Sequence, residues 1–438
     1  MRTKVSRSVL VVGLTLVSAS IFTISARSQD RDRDDTMWAR ATRAVRDCFV
    51  SEHHEHNLNT PVNLIGAISP PNAVFAGFDI GFVDPRTEMY YVAESGPNST
   101  TTPPTPSPGI GAVDVLDAEN DLVVGRITGF YGRFHPGCPG PEGNGPNGLL
   151  VTPDNRLVVG DISPTGNPGT GLVKVFDMNL AVPPYGALAP IATIPTGATC
   201  RADEMGYDPR HHIVLVGNPA DTPPSATFIS LDTYSSLGKI SFTGATGAEQ
   251  PLWDAQLHGG RFLMTVPGMG VVVINPVTRT IDTTYALTNC NSSGLALGPF
   301  QNLLVGCSAP GPLQIINALN GHLITLIPEI PSADEVWYNP GDGRFYAPSG
   351  ASQKLGVIDA ETNTFLQNVT GRTGMRSVAA FPENNHVFVI WPPPALQGIP
   401  DALKDPCNTM FNIPPKTGCI AVYTHESEAA ENRDQDRH

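Results

Sequence analysis

The stretch ADEMGYDPRHHIVLVG, residues 202–217, closely resembles a second stretch, ADEVWYNPGDGRFYAPSG, residues 333–350. Each opens with adjacent carboxylates, Asp203-Glu204 and Asp334-Glu335, and continues as a short apolar run that ends at a proline. A turn and a second apolar run follow. Two apolar runs separated by turn-forming residues are typical of a β-hairpin. The chain therefore repeats one hairpin at two distant places.

The hairpin pattern occurs seven times. The units start at residues 78, 146, 202, 251, 293, 333 and 376, and the unit from residue 251 keeps the pattern without the proline. In each of the first six units, a third apolar run ends in a residue whose side chain can start a hairpin turn. These residues are Asp117, Asp177, Asp232, Asn275, Asn317 and Asp359. A fourth strand follows, and the later units recur about every 42 residues.

Four antiparallel strands per unit at this period predict an all-β, seven-bladed β-propeller over residues 61–425. The seventh unit has only three strands of its own, the third being CIAVYT, residues 419–424. VNLIGAI, residues 62–68, is the candidate for the missing strand, and we expect it to pair beside residues 420–423 and close the ring. The alternative is a string of separate small β domains, although no linker-like stretch separates the units.

The two ends of the chain differ from the repeats. Basic residues, an apolar run over residues 9–24 and small residues at 26–28 predict a secretory signal peptide over residues 1–28. Residues 29–60 are predicted to be an N-terminal extension with a short helix at about 35–49, and residues 426–438 a disordered charged tail. These features predict a secreted or periplasmic protein without a membrane span.

Charge limits the partners. The chain carries a formal net charge of −14 and no basic stripe, so nucleic acid and anionic membrane surfaces are poor partners. A cation or a neutral small molecule, or a protein ligand, suits this surface better. We expect a monomer.

Cysteines are compatible with an oxidising compartment. The chain has seven, and the candidate pairs are Cys138–Cys200, Cys290–Cys307 and Cys407–Cys419, which leaves Cys48 over. Spacing alone does not fix the connectivity.

The innermost strand of each blade starts beside the central channel of a propeller. Counting six residues back from the aligned prolines gives Asp79, Asn147, Asp203, Ser293, Asp334 and Arg376, with Gln250 or Pro251 in the fourth unit. These positions are expected to meet at one end of the channel. Carboxylates held together need compensating charge, which Arg376 and a hard cation with oxygen ligands would supply. The alternative is a polar channel lining without a bound ion.

Two further acidic residues belong to this polar ring, Glu204 and Glu335. Because strand side chains alternate, we expect them to point away from Asp203 and Asp334, and to pair with Arg201 or Arg376 or face solvent.

GPNGLLVTPDNRLVVGD, residues 145–161, is similar to the P-N-G stretch of the gluconolactonase, paraoxonase and strictosidine synthase superfamily. The units from residues 202 and 333, and LGVIDAETNTFLQNVTG, residues 355–371, resemble YVTN repeat proteins. The first resemblance implies a calcium ion bound by Asn147, with Asp203 at a family aspartate and Asp79 at a family glutamate. It also implies a calcium-dependent lactonase or esterase.

Two functions therefore stay open: a module that binds a ligand or partner through its channel and loop face, and this hydrolase. The loop face would include residues 98–109 and 391–419. His135 and His258 are candidates for a general base, but no partner orients them and no catalytic residue is assigned. His53, His54 and His56 form either a transition-metal site or a solvated helix end.

Overall fold

The computed structural model describes residues 60–69, 75, 77–96, 109–138, 144–308, 311–393, 405–415 and 417–425. These residues all lie in the unit that spans Asn57–His438. The predicted signal peptide, nearly all of the N-terminal extension with its helix, Cys48, the histidines at 53–56, most of the loop at 98–109 and the charged tail lie outside the described residues.

Seven antiparallel sheets form around one centre, and each is a predicted blade. The first strands of the blades are β2 (Phe78–Asp84), β6 (Leu149–Val151), β11 (Met205–Asp208), β15 (Pro251–Asp254), β19 (Asn291–Leu297), β23 (Trp337–Asn339) and β27 (Val378–Phe381). Each of them contacts the first strands of both neighbouring blades, so the seven strands make a closed ring. The prediction of a seven-bladed all-β propeller is confirmed.

The second and third strands of each blade are mostly apolar, because neighbouring blades cover both of their faces. The second strands are β3 (Met89–Glu94), β7 (Arg156–Gly166), β12 (Ile213–Asn218), β16 (Arg261–Val266), β20 (Asn302–Ser308), β24 (Arg344–Ser349) and β28 (His386–Trp391). The third strands are β4 (Gly111–Asp117), β8 (Gly169–Asp177), β13 (Ser225–Ser230), β17 (Gly270–Asn275), β21 (Leu313–Asn317), β25 (Lys354–Asp359) and β29 (Cys419–His425). Burial of these strands supplies the main stabilisation of the ring.

The outer strands are more exposed and more polar, as β14 shows with its sequence SSLGKIS. They are β5 (Leu122–Phe130), β10 (Ala192–Thr199), β14 (Ser235–Ser241), β18 (Thr280–Tyr285), β22 (Leu323–Ile327), β26 (Thr364–Thr370) and, in the seventh blade, β1 (Val62–Ile68). A two-residue strand, β9 (Tyr185–Gly186), pairs in parallel with β5. One short α-helix, α1 (Pro406–Phe411), and two 3₁₀ turns, Leu257–Gly259 and Pro299–Gln301, complete the described elements.

The seventh blade combines strands from both ends of the described chain. β1 pairs antiparallel with β29, with Val62 opposite His425 and Ile68 opposite Ile420. Gln367 of the neighbouring sixth blade exchanges two hydrogen bonds with the backbone of Val62, both 2.9 Å long. The backbone carbonyl of Thr60 accepts a further bond of 2.9 Å from Arg344 Nη2. Side chains of the sixth blade thus hold the start of β1 in place.

Five of the six third-strand turns use the side chain that the sequence indicates. In the third blade the expectation for Asp232 is wrong: Ser230 Oγ accepts from the backbone N–H of Thr233, and Asp232 contacts His212. Asp117 Oδ1 accepts hydrogen bonds from the backbone N–H groups of Glu119 and Asn120, at 3.0 and 2.9 Å. Equivalent turns start at Asn275, Asn317 and Asp359. Each terminates a third strand, and the chain then reverses into the outer strand.

Glycine sets the close approach of neighbouring blades beside the channel. A Cβ atom on Gly148 would lie 2.0 Å from the carbonyl oxygen of Asp203, and one on Gly294 would lie 2.5 Å from that of Asp334. No other residue type fits at these distances. The two Asp-Glu pairs therefore have the backbone of the preceding blade directly against them.

All three predicted disulfides are confirmed: Cys138–Cys200, Cys290–Cys307 and Cys407–Cys419. The last joins α1 to β29. Among the residues that the structure describes, no helix is both long and apolar enough to cross a bilayer.

Candidate functional site

Two cavities lie along the channel formed by the first strands. The first, which we call the polar mouth, has a volume of about 220 Å³. It is lined by Asp79, Asn147, Arg201, Asp203, Glu204, Glu249, Pro267, Asn291, Ser292, Ser293, Ser308, Asp334 and Arg376. The second, which we call the apolar chamber, has a volume of about 350 Å³ and is lined by side chains further along the same strands.

Six of the seven predicted polar-ring residues line the polar mouth together. They are Asp79, Asn147, Asp203, Glu204, Asp334 and Arg376. Glu335 lines the apolar chamber instead, and Glu204 lines both cavities. The positions six residues before the aligned prolines therefore meet at one end of the channel, because each marks the start of a first strand.

Two of the aspartates carry arginine partners. Asp203 is almost fully buried, and its Oδ2 lies 2.6 Å from both Nε and Nη2 of Arg201. Asp79 Oδ1 lies 3.5 Å from Arg376 Nη2. Arg376 also donates to the backbone carbonyl of Phe78 and lies over its ring, 5.3 Å from the centroid. The two guanidinium groups thus compensate part of the acidic charge at the mouth.

Glu204 and Glu335 face each other between the two cavities. Both are buried, and a hydrogen bond joins their carboxyl groups. Burial raises the pKa of Glu204 well above its usual range, and the Glu335 and Glu249 carboxyls raise it further. Burial also raises the pKa of Glu335, as does Asp334. Both carboxyls therefore bind protons more readily in the folded protein than in the unfolded chain.

The expectation that these two glutamates pair with arginine or face solvent is wrong. Arg201 and Arg376 are paired with Asp203 and Asp79. The regular strands begin only at Met205 and Trp337, so both Asp-Glu pairs precede the segments where strict alternation holds. Their side chains consequently both reach the channel.

Several lining residues escaped the sequence analysis. Arg201, Asn291 and Ser308 each directly follow a disulfide cysteine, namely Cys200, Cys290 and Cys307. The sequence signal for a position beside the channel was that each of these residues follows a cysteine of a predicted disulfide. Two of the three disulfides thus fix the backbone beside the polar mouth.

The histidine candidates lie elsewhere. Neither His135 nor His258 lines either cavity. His135 is buried in the loop after β5, with Nδ1 2.7 Å from the carbonyl oxygen of Pro136. His258 sits in the turn between β15 and β16 at a φ of 48°. The expectation that they reach the channel as general bases is therefore not met.

For the implied calcium ion, Asp79, Asn147 and Asp203 do lie on one cavity. Across the described ranges, however, no group of three or more His, Cys, Asp or Glu side chains is arranged to hold a metal. An ion would also have to displace Arg201 from Asp203 and Arg376 from Asp79. The donor set therefore fits calcium poorly, and no chemical step is derived through it.

The acid pair predicts a pH dependence of folding. Because the folded state holds protons that the unfolded chain releases above a pH of about 4.5, the unfolding free energy should fall as pH rises from 5 to 8. Each such group contributes up to about 1.4 kcal/mol per pH unit. Glu335→Gln, which keeps the shape but carries no charge, should make this slope shallower in urea unfolding at pH 5, 6, 7 and 8.

The control for this prediction is Glu361→Gln, which changes an exposed turn residue. Its slope should match the wild type. Equal slopes in Glu335→Gln and the wild type would show that the pair does not hold extra protons in the folded state.

Comparisons with known proteins identify the fold and no more. No family model and no curated protein matches the chain. A chain in a crystal structure of the mitotic checkpoint complex superposes with a TM-score of 0.57 at 12% identity, over 84% of this chain and 93% of that one. The WD40 β-propeller domain of Doa1 gives a TM-score of 0.55 at 9% identity, over 84% and 98%.

Proposed function

We propose that the protein is a binding module whose polar mouth takes up a positively charged group of a small ligand or protein partner. The charge balance of the mouth carries this proposal. Four carboxylates, Asp79, Asp203, Glu249 and Asp334, face two guanidinium groups, Arg201 and Arg376. Glu204 lies at the inner end of this cavity, where it meets the apolar chamber. A net excess of negative charge in a partly enclosed space attracts a cation more strongly than the same charges would in open solvent.

The serines of the mouth support binding over covalent catalysis. Ser293 Oγ donates to the carbonyl oxygen of Asp334 at 3.1 Å, and Ser308 Oγ to that of Asn291 at 3.1 Å. Ser292 Oγ donates to Gly270 at 3.5 Å. A nucleophilic serine needs its proton taken by a base, whereas these three direct it to the backbone. Among the residues that the structure describes, no histidine, lysine or cysteine side chain lines the polar mouth.

The proposed setting follows from the same features. We propose that the protein acts outside the cytoplasm, secreted or periplasmic, which the three disulfides support because such bonds are typical of oxidising compartments. We also propose that it is a monomer. The structurally similar checkpoint-complex chain is part of an assembly by its title, which supports a protein partner as one source of the cationic group.

The test uses N-acetyl-arginine amide, which presents one guanidinium group as a partner's arginine would. Calorimetric titration is expected to detect binding that weakens with added salt. The double variant Asp79→Asn/Asp334→Asn should lower the affinity by about tenfold for each carboxylate removed, because each loss costs about 1.4 kcal/mol.

Asp232→Asn is the matched control, since this exposed aspartate lies in a turn away from the mouth. It should bind like the wild type. A double variant that also binds like the wild type would contradict the proposal, as would a wild-type protein that binds acetate but not the guanidinium probe. The latter would assign the two arginines to an anionic ligand.

A calcium-dependent hydrolase is the second candidate, favoured by the meeting of Asp79, Asn147 and Asp203 on one cavity. Calcium titration of the wild type and Asn147→Ala distinguishes the candidates. Stoichiometric binding that is lost in Asn147→Ala would favour the hydrolase, and lactone and ester substrates would then be screened.

A further inference from the structure

The apolar chamber lies beyond the acid pair, towards the opposite ends of the first strands from the polar mouth. Five aromatic side chains stand among the mostly aliphatic residues of its wall: Phe82, Tyr207, Trp253, Trp337 and Tyr338. None of them is fully buried, although each lies in an inner strand. Phe82 and Trp337 meet edge to face with ring centroids 6.1 Å apart. Each of the five also packs against a hydrophobic cluster of the blades, and the partly exposed remainder of its surface is available to the chamber.

The end of the chamber at the acid pair, which we call its floor, is lined by side chains that carry oxygen atoms. Glu204 and Glu335 reach it from the third and sixth blades, and Gln250 reaches it from the fourth. The side-chain carbonyl oxygen of Gln250 already accepts a hydrogen bond from the backbone N–H of Leu295. Both glutamates are buried, so a group that enters the chamber meets them without competing bulk water.

Further carboxyl groups lie near this floor. The carboxyls of Asp79, Asp203 and Glu249 raise the pKa of Glu204, and those of Asp334, Asp79 and Glu249 raise that of Glu335. Burial is the largest cause of both shifts, and the neighbouring carboxyls, which add to it, would also attract a cation. A cation placed on the floor would therefore gain from the acid pair and from the carboxylates behind it.

We propose that the apolar chamber binds an organic ammonium ion, with its charged group against the rings of Trp253 and Trp337 and towards Glu204 and Glu335. Tryptophan is the best aromatic partner for a cation, and a cation–π contact is strongest where the cation is desolvated. At about 350 Å³ the chamber lies at the lower end of ligand pockets, so the ligand is small. This site is separate from the polar mouth, with which it shares only Glu204.

The experiment compares two probes of equal shape: choline and its uncharged carbon isostere, 3,3-dimethylbutan-1-ol. Calorimetric titration of the full chain is expected to give at least tenfold tighter binding of choline. Trp253→Leu/Trp337→Leu retains apolar walls but removes the indole rings. It should weaken choline binding at least tenfold and leave binding of the alcohol within threefold. Glu335→Gln should weaken choline binding and spare the alcohol.

Binding of N-acetyl-arginine amide to the Trp variant separates this proposal from the one for the mouth. If the Trp variant binds this probe with the affinity of the wild type, its polar mouth is intact. If the wild type itself does not bind the probe, circular dichroism is used instead to show that the Trp variant is folded. The proposal is overturned if the isostere binds as tightly as choline, if the wild type binds neither probe, or if a folded Trp variant binds choline like the wild type.

Discussion

Removal of the Cys138–Cys200 disulfide by replacing both cysteines with alanine is expected to lower the unfolding free energy by about 4 kcal/mol. The bond joins positions 62 residues apart and so closes the longest loop of the three disulfides. In the unfolded chain, a longer closed loop excludes more conformations, which raises the free energy of that state. Both sulfur atoms are also buried against Tyr131 and Ile162. Equilibrium unfolding in guanidinium chloride measures the loss.

Cys407→Ala/Cys419→Ala is the comparison variant, because that disulfide closes a loop of only 12 residues. Its expected loss is about 3 kcal/mol. A larger loss in this variant than in the Cys138–Cys200 variant would show that loop length does not determine the ranking. The Cys138–Cys200 variant should also bind the guanidinium probe more weakly, because Cys200 fixes the backbone next to Arg201.

Arg344→Met is expected to lower the unfolding free energy by about 3–5 kcal/mol at pH 7. Arg344 is only 1% exposed, and its Nη2 donates to Thr60 beside β1. Its backbone N–H donates to Asp342 Oδ1 at 3.2 Å. Burial raises the pKa of Asp342 to about 6, so this carboxyl is mostly charged at pH 7. Methionine keeps much of the arginine volume but leaves that buried charge without its guanidinium neighbour.

The pH dependence identifies the cause of this loss. Below the pKa of Asp342 the carboxyl holds a proton and needs no positive neighbour, so the loss at pH 5 should be smaller than at pH 7. In a double-mutant cycle, Asp342→Asn combined with Arg344→Met should lose less than the two single variants together. An equal loss at both pH values would show that lost packing, and not charge, explains the effect.

The sequence indicates the fold because each blade carries its own local signals. The proline after a first strand, as in Pro209 and Pro340, and the aspartate or asparagine that ends a third strand recur with the blades. Asp117 and Asp359 start turns by local hydrogen bonds that any such sequence can form. Local chemistry of this kind needs no knowledge of distant residues, which explains why the repeat predicts the architecture.

The site was predictable only in part, for the opposite reason. The first-strand starts could be aligned, so the meeting of residues such as Asp79, Asn147 and Asp334 followed from the repeat. The contact between Glu204 and Glu335 joins the third blade to the sixth across the channel. Neither local sequence specifies which residue of the opposite blade its glutamate meets across the channel. The aromatic residues of the apolar chamber were missed because they look like ordinary apolar strand positions.

The pairing of β1 with β29 also orders events during synthesis. Val62 leaves the ribosome long before its partner His425, so the first-made strand has no sheet to join while six blades emerge. Until the last strand arrives, both sides of the gap present unpaired backbone groups, which are templates for association with other chains. Six blades can gather their own strands in sequence, whereas the seventh forms only by a contact of very high sequence separation, a slow step in folding. The nascent ring is therefore most vulnerable to aggregation just before its final strand arrives, and a chaperone that covers β1 would act in that interval.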